Sequence, residues 1–110
     1  MKTTKAQFDE FCAECNRLQP ILGLMDWTIS LKHGSDNPDA YAEVTINNLD
    51  RIAVVAMCQE TDEYFRVKDC AKHEMIHILL SDLKTEAISR YSTEENIDKA
   101  EHRVVLEKII

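Results

Sequence analysis

Five consecutive residues, His73-Glu74-Met75-Ile76-His77, combine the side chains needed to hold a metal ion and to move a proton beside it. On an α-helix each residue turns by about 100°, so His73 and His77 project from one face, one turn apart, and both imidazoles can reach a single ion. Zinc suits imidazole nitrogen and a tetrahedral shell, and a catalytic site keeps one position for water. Bound zinc lowers the pKa of water to roughly 7. Glu74 follows the first histidine and points to its side, where its carboxylate can accept that proton during attack on a carbonyl. The expectation is therefore a Zn2+ site with His73 and His77 as ligands and Glu74 as general base. The plainer alternative is two partly exposed helix histidines with an ordinary acid between them.

A zinc site needs a third protein ligand, and His33 and His102 are the only other histidines. Ser92-x-x-Glu95 reads as a capping box that opens a last helix. With Ile97 as reference, Ala100, Glu101, Val104 and Lys108 fall within about 60° at helical pitch. Glu101 thus sits in the middle of the face that packs inward, where a carboxylate is costly unless paired or bound to metal. Glu101 is the leading third ligand. His102, a further 100° or so round, is the next, and Glu86, Glu94, Glu95 and Asp98 stay open.

The elements that would position these groups follow from periodicity. Thr4-x-x-Gln7 resembles a capping box, and Phe8, Phe11, Cys12, Cys15 and Leu18 recur at helical spacing, predicting a helix over 4–19 that Pro20 stops. Residues 27–32 alternate apolar and polar, the period of a half-buried strand. A polar loop over 33–39 leads to a second strand over 41–47, with Ala42, Val44 and Ile46 on one side. The turn chemistry of 47–50 suggests a hairpin into a third strand over 51–57, which is apolar on both faces and suits the interior of a sheet covered on both sides. From Thr61 the period becomes helical, with Thr61 as cap and Asp62 and Glu63 in the first turn, and the helix is predicted to reach about 83. Residues 84–91 read equally as continuation or loop.

Composition narrows the functional classes. With 45% hydrophobic and 30% charged residues the chain reads as an ordinary globular domain, and 110 residues suit one domain over 1–110. A net charge of −7 argues against nucleic acid and against anionic membranes, because both reward a basic face. The first ten residues hold no apolar run of the secretory kind, and the longest apolar stretch, 52–58, is too short to span a bilayer, so a cytoplasmic protein is expected. Cys12, Cys15, Cys58 and Cys70 are then expected as thiols packed in the core. A separate zinc knot built from the four is the competing reading.

At these residues the chain resembles the zincin metallopeptidases, and more narrowly the gluzincin pattern, in which a glutamate from a following helix joins the His-Glu-x-x-His pair. The stretch from His73 to Leu83, with Ala100 to Val105 downstream, is similar to minimal metallopeptidase-like proteins of phages and prophages, as is Leu22 to Ile29 at the approach to the first strand. The resemblance implies His73 and His77 as the metal histidines, Glu74 as the base and Glu101 as the acidic ligand. It implies a small α+β domain ordered helix, three-stranded mainly antiparallel sheet, metal helix, C-terminal helix, whose edge strand could hold an extended peptide by main-chain pairing. For the oxyanion-stabilising Tyr or His of such proteins the candidates are Tyr91, Tyr64 and His102. The expected activity is hydrolysis of peptide bonds in a peptide or protein substrate. The alternative is a zincin-fold binding protein in which the metal stabilises the fold without proteolysis.

Overall fold

The computed structural model describes residues 2–35, 39–61 and 65–90, apart from the side chains of 82, 86 and 88–90. The first helix, α1, spans Lys5–Ile21 and begins with the expected capping box: Thr4 Oγ1 accepts from Gln7 N at 3.1 Å, and Thr4 N donates to Gln7 Oε1 at 2.8 Å. Phe11, Cys15 and Leu18 are buried along one stripe. Pro20 does not end this helix but lies inside its last turn. Lacking an N–H, it forfeits only one helical bond there. Termination belongs to Gly23, which takes φ +71° while its N–H donates to the Pro20 carbonyl and Leu24 N–H donates to the Gln19 carbonyl. That crossed pair is a Schellman cap, which requires a left-handed residue at the glycine position.

Three strands follow, β1 (Thr28–His33), β2 (Ala42–Asn47) and β3 (Ile52–Met57), in the sheet order β1-β3-β2. The predicted hairpin joins β2 and β3, running antiparallel from Ala42↔Met57 to Asn47↔Ile52. Its turn is held by Asn47 Oδ1, which accepts from Asp50 N, and by Arg51 at φ +54°. β3 takes the central place that its two apolar faces suggested. Because β2 returns antiparallel to β1 and β3 reverses again, β3 meets β1 in parallel, from Thr28↔Ile52 to His33↔Met57. The sheet is therefore mixed, half parallel and half antiparallel, within the expected α+β layout. On the inner face Ala53, Val55 and Met57 are buried, whereas Ile52 and Val54 on the other are 42% and 36% exposed, so the cover expected on both sides is only partial.

The long helix α2 spans Val67–Arg90. It starts six residues beyond the expected Thr61, which is buried ahead of the helix, and it runs through the ambiguous stretch to Arg90. Phe65 and Val67 enter the core at this start, and Asp69 in the first turn suits the positive end of the helix dipole. Ala71, Met75 and Ile78 are fully buried and join Phe11, Cys15, Val55 and Met57 in one core, with α2 packed on α1 and against β2. The helix expected from 92 onward lies outside the described residues. Among the described residues no helix is long and apolar enough to cross a membrane.

Candidate metal and catalytic site

His73, Glu74 and His77 all lie on α2, with Met75 and Ile78 pulling the intervening face into the core. That burial fixes the helix about its axis and leaves the two histidines half-buried at the side of the core. Their Nε2 atoms converge to 3.0 Å, and the rings meet edge to face with centroids 4.7 Å apart. Two imidazole nitrogens bound to one tetrahedral zinc at about 2.0–2.1 Å stand roughly 3.3–3.4 Å apart. The pair thus fits a zinc ion after a ring adjustment of a few tenths of an ångström. The borderline-soft metal and the imidazole donors are chemically matched.

Glu74 is only 8% exposed. Burial pushes its carboxyl above the ordinary range, the positive side of the neighbouring His77 opposes this, and the Glu43 carboxylate on β2 raises it further. Two clefts meet at this residue. One, about 510 Å³, runs between β2 and α2 past Glu43, Asn48, His77, Ser81 and Lys84. The other, about 600 Å³, lies beyond His73 and is walled by Tyr41, Ala42, Phe65 and Cys70. Glu74 is a wall of both. A buried carboxylate beside a two-histidine grip and at a cleft junction can accept a proton from a molecule held there.

Glu101, His102, Glu94, Glu95, Asp98, Tyr64 and Tyr91 lie outside the described residues, as does the side chain of Glu86. Among the described residues no group of three or more His, Cys, Asp or Glu side chains is placed to hold a metal. Cys15 and Cys58 are core residues, all four are free thiols, and burial pushes Cys15 to about 12 and Cys70 to about 11.

The remaining described histidine, His33, belongs to a different device. Thr3 Oγ1 lies 2.7 Å from both the Cys58 carbonyl and His33 Nε2. A hydroxyl has one proton, so it donates to the carbonyl and accepts from His33 Nε2–H. Phe8 stacks on the same ring with centroids 4.8 Å apart. Thr3 is thus tied to β1 through the imidazole and, through its hydroxyl, to Cys58 just past β3.

Sequence reasoning missed three contributors. Glu43 sits between apolar Ala42 and Val44, where a strand's outward position reads as solvated, and only the placement of β2 beside α2 gives its charge a role. Tyr41 and Phe65 stack with centroids 5.0 Å apart across 24 residues of chain, which no local period reveals. Ser81, buried on α2, donates to Asn48 Oδ1 and pins the hairpin turn to the helix. The described structure is thus an α+β domain carrying a His-Glu-x-x-His helix beside an edge strand. Comparison of the chain with protein-family models, with curated proteins and with solved structures finds no match to any of them.

Proposed function

We propose that this chain is a zinc-dependent metallopeptidase of the zincin kind, with His73, His77 and Glu101 as metal ligands and Glu74 as general base. The observation that carries the reading is the meeting, at one buried carboxylate, of two converging imidazole nitrogens and two clefts. Zinc bound there would supply an acidified water and a positive charge to polarise a carbonyl. Glu74 would take the proton and return it to the leaving amine, a shuttle helped by a carboxyl that burial raises above its ordinary range. β2 is an edge strand among the described residues and lines one cleft together with Glu74, so an extended peptide paired along it would lie beside that cleft. Four free thiols suit a reducing compartment, and the proposed setting is the cytoplasm.

The test is a comparison of zinc-loaded wild type and Glu74→Gln on a mixture of unfolded proteins, read by mass spectrometry. The variant should keep its zinc and lose cleavage by about 10²–10⁴-fold, the usual worth of a general base. Equal turnover by both would overturn the mechanism.

A further inference from the structure

The two helices run the same way along the sheet. Phe8, early in α1, stacks on His33 at the end of β1, and the end of α1 leads back to the start of that strand. Phe65, just ahead of α2, stacks on Tyr41 at the start of β2, and Ser81 bonds Asn48 just past the end of β2. Since β1 is parallel to β3 and β2 antiparallel to it, α1 and α2 lie parallel, and they pack on each other. Their relative height shows in the charges, because Lys72 and Lys68 of α2 act on Glu14 of α1. Seven residues return a helix to nearly the same face, about 10 Å further along. Seven residues beyond Glu14 stands Ile21, and seven beyond Lys72 stands Leu79, with Leu83 one turn lower on the same stripe. A charged upper part of the shared face thus gives way to an apolar lower part.

That lower part is open. Ile21 is 64% exposed, Leu79 36% and Leu83 64%, and Met25, just past the cap of α1, is 68% exposed. Together they offer about 450 Å² of apolar surface, in the range of patches that mark interaction sites. An interface that is about 57% apolar and is centred on such a patch covers about 800 Å² on each partner, the standard size for a specific complex. Its occupant must be apolar in the middle and must tolerate Arg17, Lys68 and Lys72 at one end. A second copy meets both demands in one arrangement. We propose that two copies of this chain associate through Ile21, Met25, Leu79 and Leu83, with a two-fold axis crossing the helices between Leu79 and Leu83. That axis lays the helix pairs antiparallel, α2 on α2, so Leu79 meets the partner's Leu83 and the two basic ends point in opposite directions. A parallel arrangement would set Arg17 of each copy against the partner's Lys72. The patch stands about 120° round α2 from His73 and His77, so the association does not depend on what that site does.

Sedimentation velocity of the full chain from about 1 µM to about 100 µM tests the association, since interfaces of standard size hold at micromolar concentrations or below. The mass should rise from one chain to two. Ile21→Glu and Leu83→Glu, each at an exposed position and checked by circular dichroism, should weaken the dimer at least about tenfold, because each sets two carboxylates in one apolar interface. Leu49→Glu, more exposed still but in the hairpin turn on the other side of α2, should leave it unchanged. In an equal mixture of isotope-labelled and unlabelled wild type, filtered NOEs should link the Leu79 methyls of one copy to the Leu83 methyls of the other. A single-chain mass at every concentration overturns the proposal, as it would if another protein or residues 91–110 of the same chain took the patch. A dimer that both glutamate variants at the patch keep, that Leu49→Glu weakens as much, or whose contacts join Ile21 to the partner's Leu79, overturns this interface.

Discussion

If His73 and His77 grip zinc, the metal should stabilise the folded chain, and the geometry sets how strongly. The Nε2 atoms already stand 3.0 Å apart, so binding asks for a shift of about 0.3 Å rather than a rearrangement. The binding energy therefore appears almost whole as folding energy. With free zinc at 100 times its dissociation constant the gain is about 2.7 kcal/mol. For a chain of 110 residues, at roughly 4 °C per kcal/mol, that is a rise in melting temperature of about 10 °C. Differential scanning fluorimetry across a zinc titration reads it directly. His73→Ala and His77→Ala should each lose most of the rise at the same zinc concentration, whereas Glu74→Gln should keep it. Zinc binding by the unfolded chain through its four thiols lowers the rise equally in all variants, so the comparison survives it. A wild-type melting point indifferent to zinc, or an undiminished rise in His77→Ala, would refute the argument.

Other expectations concern the scaffold. Ile78 is fully buried at the centre of the core, so Ile78→Ala should cost about 2–5 kcal/mol in urea unfolding, as deep large-to-small changes do. Glu14 is 8% exposed on α1 and is held below the ordinary carboxylate range by its hydrogen bonds from Arg17, against the opposing effect of burial and with help from the charges of Arg17, Lys72 and Lys68. A depressed folded value contributes stability that is present above the unfolded pKa of about 4.3 and is lost as pH falls through the folded one. Glu14→Gln should therefore be less stable than wild type at pH 7, and the difference should shrink as pH falls through the folded value, as urea unfolding at a series of pH values would show. The Cys15 thiol, pushed to about 12 and 1% exposed, should resist iodoacetamide at pH 8 in the native state and react on unfolding, as peptide mapping would show.

Features carried by local spacing were the legible ones. The Thr4–Gln7 capping box, the Asn47–Asp50 turn, the central place of β3 and the one-sided placement of His73 and His77 each depend on residues within a few positions of one another. What escaped depends on tertiary context. Pro20 could stay in α1 because the Gly23 cap uses its carbonyl, and a proline rule weighs only the missing N–H. The parallel β1–β3 pairing joins residues 24 apart and follows from which strand wins the centre, not from any strand's own pattern. The start of α2 shifted to Val67 because Phe65 and Val67 are drawn into the core, which a capping rule at Thr61 does not see. The surroundings of α2 show the same division: the shared face of His73 and His77 was readable from their spacing, while the places of Glu43 and of the Tyr41–Phe65 stack needed the sheet beside the helix.

That both imidazoles come from successive turns of α2 has a consequence for how order begins in the chain. The expensive step in making a helix is the first closed turn, which fixes several dihedral angles for a single hydrogen bond. A cation clasped by residues four apart closes such a loop from outside the backbone. With zinc bound there, Met75 and Ile76 would be locked in helical geometry at the outset. The metal would serve in this sense as a template for the segment that binds it, and the reactive centre would be among the earliest parts of the molecule to take shape.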